Sequence, residues 1–384
     1  MTRTRPPAPL SAGSSPTHRR VRGVVAGVVG LGLLLAGCGA GGGGGRVATG
    51  TVEGTIGLLL PEAQTARYEA SDRPTFVAVT GRRCPGCTVL YANAAQDAAA
   101  QLQQAESMLA QGADVLVLDA VDTVAAVGIV AQANRLGAQV IAYDRFVDGA
   151  DYYVSYDYEF IGFLLGSALA GTVLDRAAGR DDGGRPGVLL AHGSATDPNA
   201  LAIAQGTRRA LDGEDIDVLA EHYTPDWSPD KATEWTEAML SQYPGRVDGI
   251  LAANDAIAGG AVAAAKAAGL DPVPVTTGQD GELSAVQRIV AGDQFMTVYK
   301  ATDQQAATAA ELAVRVLRGQ DPRTTAVTQG VPTVLLAPRA VAAADVEHVI
   351  VDGHVYSTDE ICVPAYEAAC ERAGLVGATG EADG

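Results

Sequence analysis

DGILAANDAIAGGAVAAAKAAGLDPVPVTTGQDGELSAVQRIVAGDQFMTVYK, residues 248–300, holds three short apolar runs, 249–253, 273–277 and 295–299, separated by helical patterns rich in Ala, Leu and Val. Such an alternation of strand and helix predicts a parallel sheet with helices on both faces. Each run ends in polar side chains: Asn254 and Asp255 after the first, Gln279 and Asp280 after the second, Lys300 after the third. Open α/β sheets bind their ligands outside the carboxyl ends of the strands, so these groups are expected to share one rim. An amide that donates and accepts, carboxylates that accept and an ammonium that donates suit the hydroxyls of an uncharged polyol better than an anion.

The same alternation runs upstream. Residues 54–60 read as a buried first strand, 96–110 as a helix, 114–118 as a strand, 122–136 as a helix and 139–143 as a strand ending in Asp144 and Arg145. Strand 187–191, helix 199–211, strand 216–223 and helix 230–242 repeat the pattern, and 303–317 is a further helix. At 384 residues the chain is long for one core. Two similar α/β lobes facing each other across a cleft would bring both polar sets together. Residues 322–332 read as a hinge or crossing, and 346–356 as a terminal hairpin turning at Asp352-Gly353. From Gly374 the tail has little to pack, and disorder is expected there.

Composition narrows the function. A hydrophobic fraction of 47% and a charged fraction of 19% describe a globular protein, and a net charge of −18 argues against a nucleic-acid partner. Lysine occurs only at Lys231, Lys266 and Lys300, and of these Lys300 sits at a strand end. The histidines His18, His192, His222, His348 and His354 are scattered, forming neither a nucleophilic triad nor a metal set, and His192 is expected in a solvent-exposed loop. No cofactor is expected.

At the N-terminus, Arg19, Arg20 and Arg22 precede an apolar run, 24–36, too short to span a bilayer and followed by small residues, which is the layout of an export signal. Leu35-Ala36-Gly37-Cys38 resembles the lipobox of bacterial lipoproteins. The resemblance implies cleavage of residues 1–37, acylation of Cys38 and a place outside the cell, on the outer face of the cell membrane. The Gly-rich stretch 38–53 would then be a flexible tether. Beyond Cys38, four cysteines remain in two close pairs, and an oxidising compartment predicts the disulfides Cys84–Cys87 and Cys362–Cys370. Cys-Pro-Gly-Cys also fits a thiol-disulfide oxidoreductase with Cys84 as the attacking thiolate. Here the pair follows a helical pattern instead of opening one, which favours a structural clip.

The words AANDAIAGGAV (252–262), TGQDGEL (277–283) and MTVYK (296–300) resemble segments of bacterial periplasmic sugar-binding proteins of ABC importers, the xylose-binding group most closely. The resemblance spans residues 54–351. It implies the type I architecture, two Rossmann-like lobes joined by a hinge of three segments, with crossings near Tyr156, Lys300 and Gly330. The N-terminal lobe would comprise 54–156 and 300–329, the C-terminal lobe 157–299 and 330–358, with a Cys-containing tail at 359–384. The sugar-binding set it implies is Arg67 and Tyr68 from the first helix, Asp144 and Arg145 from Ala-Tyr-Asp-Arg, and Asp197, Asn199 and Trp227 from the second lobe. Asn254, Asp280 and Lys300 complete it. Two departures stand out: Pro198 replaces an Asn, and Ala204 stands where the xylose-binding group carries an Arg.

Each of these residues has a plainer reading: Asp144 with Arg145 as a surface ion pair, Trp227 as lobe-edge packing, Asn254 as a helix cap. Jointly they point to capture of a monosaccharide, D-xylose or a related sugar, by hinge closure. The expected partners are an ABC permease and, through the Cys38 lipid, the membrane; the protein is expected to act as a monomer without catalysis. Alternatives from other classes are a sugar sensor for chemotaxis or two-component signalling, the thiol oxidoreductase, and a glycosidase using Asp144 and Asp280.

Overall fold

The computed structural model describes residues 53–179 and 184–376, so the export signal, Cys38 and nearly all of the tether lie outside the described residues. The first lobe begins with β1 (Glu53–Leu60), whose last five residues are buried, followed by α1 (Arg73–Arg83), β2 (Gly86–Asn93), α2 (Ala98–Ala110), β3 (Val115–Leu118), α3 (Thr123–Leu136), β4 (Gln139–Tyr143) and β5 (Tyr152–Tyr156). The chain then builds the second lobe from α4 (Tyr158–Ala177), β6 (Gly187–His192), α5 (Pro198–Leu211), β7 (Asp217–Tyr223), α6 (Pro229–Gln242), β8 (Val247–Ala252), α7 (Asp255–Ala267), β9 (Val275–Thr276), β10 (Gln279–Asp280), α8 (Leu283–Ala291) and β11 (Met296–Tyr299). It returns to the first lobe with α9 (Thr302–Leu317), β12 (Ala326–Thr328) and β13 (Val331–Leu336), and ends on the second with β14 (Arg339–Ala342), α10 (Thr358–Ile361) and α11 (Glu367–Ala373).

The first lobe's sheet has the order β12-β13-β5-β4-β3-β1-β2, parallel except at the β12–β13 pair. The second lobe carries a parallel sheet β7-β6-β8-β9 and a small sheet β10-β11-β14. The βα turns close on side-chain caps: Asp97, Asp122, Asp157, Asp197, Ser228 and Asn254 each accept a backbone N–H of the first helical turn. Among the described residues α4 is the one helix long and apolar enough to cross a membrane. Ile161, Leu165, Leu169 and Val173 are nevertheless fully buried in the second lobe, which makes it a core helix.

Three expectations are corrected. Gly330 is not a crossing: Gln329 and Gly330 both have positive φ, 48° and 89°, and form the turn of the β12–β13 hairpin, while Val331–Leu336 pairs with Tyr153–Tyr156 inside the first lobe. Residues 322–332 thus extend that lobe, and the last crossing falls between Leu336 and Arg339. Residues 346–356 are not a hairpin either. Val346, Val349 and Ile350 are the buried positions of a helical turn over Val346–Val351, a spacing of three and four where a strand would need two. The tail is packed at its start: α10 and α11 sit on α8, and Leu375 and Val376 join the same apolar cluster. Residues beyond 376 lie outside the described ones.

Both expected disulfides are formed, Cys84–Cys87 between the end of α1 and the start of β2, and Cys362–Cys370 between α10 and α11. Cys84 is 1% exposed, which covers the sulfur that an oxidoreductase would have to present.

Candidate functional site

Asp144 organises the cleft. It follows β4 directly and its backbone takes the left-handed region, φ 62°, turning the carboxylate back over the sheet. Its peptide oxygen is held by Tyr153 Oη (2.9 Å) and Ser155 Oγ (2.7 Å). Its Oδ1 accepts from Arg67 Nη1 (3.1 Å), Tyr158 Oη (2.6 Å) and Gln305 Nε2 (3.1 Å), and Oδ2 accepts from Asn199 Nδ2 (3.3 Å) across the cleft. Burial alone would push this carboxyl up, but Lys300 and Arg67 beside it, with the Tyr158 hydrogen bond, hold it well below the usual carboxylate range. Arg67 is aimed by Asp72, which accepts from its Nε and Nη2 at 3.0 and 2.7 Å, and by Gln305 Oε1 at 2.9 Å.

Arg145 spans the two lobes. Its Nη1 donates to the Ala120 carbonyl (2.8 Å), and its Nε lies 2.7 Å from Asp197 Oδ2, close enough for an ion pair yet not aligned for a hydrogen bond. Asp197 caps α5 through Asn199 N and accepts from the indole of Trp227 at 3.1 Å. Asp226 and Trp227 both have positive φ, a tight turn that points the indole inward. Gly193 lies against that ring, and a Cβ there would come within 2.2 Å of it. Asn254 caps α7 with its Oδ1, so the plain reading holds, and its amide nitrogen is not used by the cap. Lys300 donates to Tyr158 Oη at 2.8 Å and lies 3.2 Å from Asp280 Oδ1.

Arg67, Tyr68, Asp144, Arg145, Asp197, Asn199, Trp227, Asn254, Asp280 and Lys300 all line one cavity. Thr65, Tyr158 and Gln279 line it as well. Gln279 was legible as a strand end, Tyr158 comes two residues after the crossing near Tyr156 but was not singled out, and Thr65 lies in a loop that carried no signal. Ala204 is fully buried on α5 and is not part of the lining, and His192, instead of lying in an exposed loop, is buried against Glu221 at 2.9 Å.

Three cations and three carboxylates balance in the wall. Gln279 Oε1 and Asp280 Oδ1 are buried without a hydrogen bond, as is Arg145 Nε. Buried polar groups need partners, and a neutral guest bearing several hydroxyls can satisfy acceptors and donors together. The Trp227 indole offers the apolar face that the C–H side of a sugar ring requires. The first-lobe carboxylate is a poor general acid, because its cationic neighbours keep Asp144 ionised.

Beneath the cavity Asp255 fixes the loop that carries Asp280. Its Oδ2 accepts from Gly281 N (2.9 Å), Glu282 N (3.0 Å) and Thr297 Oγ1 (2.9 Å), and its Oδ1 from Gln294 Nε2 (2.8 Å). Burial, then the nearby Asp280, push the Asp255 carboxyl up to about 7, and burial with Asp255 pushes Glu282 up to about 8. Folded values above the ordinary 3.8 and 4.5 mean that the native state holds protons the unfolded chain has released. This contribution to stability is complete below about pH 4 and is lost as pH rises through about 7 and 8. Thermal unfolding should therefore shift down from pH 5 to pH 8, by roughly 2–4 °C per kcal/mol lost. Asp255→Asn with Glu282→Gln should flatten the profile; an unchanged slope would contradict the assignment.

A family profile for the periplasmic binding protein domain matches residues 56–321. The D-xylose-binding periplasmic protein of Escherichia coli (strain K12) is 32% identical over 82% of this chain and 95% of its own length. The multiple sugar-binding periplasmic receptor ChvE of Rhizobium radiobacter is 28% identical over 80% and 92%. Among solved structures, a carbohydrate transporter solute binding protein from Chloroflexus aurantiacus in complex with D-glucose superposes with a TM-score of 0.69, at 25% identity over 80% of this chain and 98% of that one.

Proposed function

The chain belongs to the periplasmic binding protein family, and from that premise we propose that it captures a monosaccharide, D-xylose or a close relative, outside the cytoplasmic membrane and hands it to an ABC permease. The observation that carries this reading is the charge-balanced cavity between the lobes, walled by an indole and by buried acceptors, Gln279 Oε1 and Asp280 Oδ1, that take no hydrogen bond. Each charge-assisted hydrogen bond to a sugar hydroxyl in such a closed space contributes about 1.5–3 kcal/mol. Lobe closure supplies that enclosure, and the ion pair of Arg145 with Asp197 and the bond of Asn199 to Asp144 are the contacts that closure makes. Asp72 and Gln305 hold Arg67 in place before any guest arrives, which lowers the ordering cost of binding.

Calorimetry against a panel of pentoses and hexoses tests the reading. Binding of at least one monosaccharide with 1:1 stoichiometry is expected, and silence toward the whole panel would overturn it. Anchoring through Cys38 is part of the same proposal and rests on Leu35-Ala36-Gly37-Cys38 and the Gly-rich stretch after it. Cys38→Ser should move the protein from the membrane fraction to the soluble one; a variant that stays with the membrane would refute the lipid anchor.

A further inference from the structure

The Tyr158 phenol occupies the middle of the polar wall. It opens α4 immediately after the first crossing, is 5% exposed, donates to Asp144 Oδ1 at 2.6 Å and accepts from Lys300 Nζ at 2.8 Å, with that ammonium 4.7 Å from its ring centre. One acceptor and one donor from opposite sides is what a sugar hydroxyl receives in a hydroxyl-binding site. With Arg67, Gln305 and Tyr158 all on it, Asp144 Oδ1 has no capacity left for a guest, and the carboxylate meets a ligand through Oδ2 alone. Lys300 is likewise turned toward the phenol and Asp280.

We propose that Tyr158 is the specificity-determining residue of this site: its hydroxyl stands in for one guest hydroxyl between Asp144 and Lys300, and its ring fills the space of the carbon that would carry it. A pentopyranose is a hexopyranose without its hydroxymethyl arm. A pocket that supplies one hydroxyl and its carbon from its own wall therefore selects the pentose and turns the hexose away. The inference rests on the sugar-binding reading and names the class of sugar within it.

The test is a comparison of D-xylose and D-glucose by calorimetry on the intact chain and on two variants, with thermal unfolding as a check that each is folded. The wild-type protein should prefer xylose by about 10- to 200-fold, the discrimination that one carbon's worth of space and contact provides. Tyr158→Ala, which opens the space, should bring the ratio to about one or invert it. Tyr158→Phe keeps the ring and removes only the bridge, so it should weaken xylose and narrow the ratio several-fold. Folded variants in which both sugars weaken in parallel at an unchanged ratio would overturn the proposal and leave Tyr158 a packing residue. A wild-type protein that prefers glucose would overturn it also. Binding of neither sugar nor of any other monosaccharide by the wild type would instead bring down the sugar-binding reading itself.

Discussion

Asp144→Asn should reduce sugar affinity by at least about 100-fold and lower the melting temperature as well, because one carboxylate serves both the guest and the cleft. It balances Arg67 and Lys300 at 3.1 and 3.6 Å, all three nearly inaccessible to water. Neutralising one member of such a buried set leaves an uncompensated charge, which costs about 3–5 kcal/mol. The amide keeps the shape, so lost packing is not the cause. It also turns one acceptor into a donor that faces Arg67 or Asn199 with the wrong polarity. Titration calorimetry and thermal unfolding on the same preparation decide the matter. Affinity within threefold of wild type would show that the carboxylate does not hold the guest.

The second large effect lies away from the cavity. Gly206→Ala should destabilise the protein by about 3 kcal/mol or more, since α4 and α5 touch backbone to backbone there: a Cβ on Gly206 would sit 1.9 Å from the Glu159 carbonyl, and one on Gly162 would sit 2.0 Å from that of Ile203. Neither neighbour is a flexible side-chain end, so the helices must move apart. Their N-termini carry Tyr158 on one side and Asp197 with Asn199 on the other, so the variant should also weaken sugar binding in whatever fraction folds. Gly171→Ala is the matched control, on α4, the helix that Gly206 packs against. It is exposed with nothing within 4 Å, and should stabilise by about 0.5–1 kcal/mol through helix propensity. Chemical unfolding of the two variants side by side should give opposite signs, and a Gly206→Ala protein as stable as wild type would remove the close-contact account.

Much of the site was legible in residue order. Asn254, Asp280 and Lys300 could be placed at strand ends because a βα unit is set by local apolar period and by the helix cap that follows, and both are written in consecutive residues. The type I resemblance carried Arg67, Asp144, Asp197 and Trp227 to the same cavity. The helical turn at Val346–Val351 was also present in the spacing of its apolar residues, and the Asp-Gly pair beyond it drew the reading toward a hairpin instead. Gly330 misled in the opposite direction, since a turn glycine and a crossing glycine look alike until the partner of the next strand is known.

By itself the sequence determined the strand and helix alternation, the polar strand ends, the neighbouring cysteine pairs and the acidic character, all of which depend on a residue and its near neighbours. Only the tertiary structure decided that Val331–Leu336 lies beside Tyr153–Tyr156, that Arg145 meets Asp197, and that Tyr158 stands between Asp144 and Lys300. Those pairings join residues far apart in the chain, and they are settled by which buried polar group finds a partner when two lobes close, a free-energy balance that no local pattern encodes.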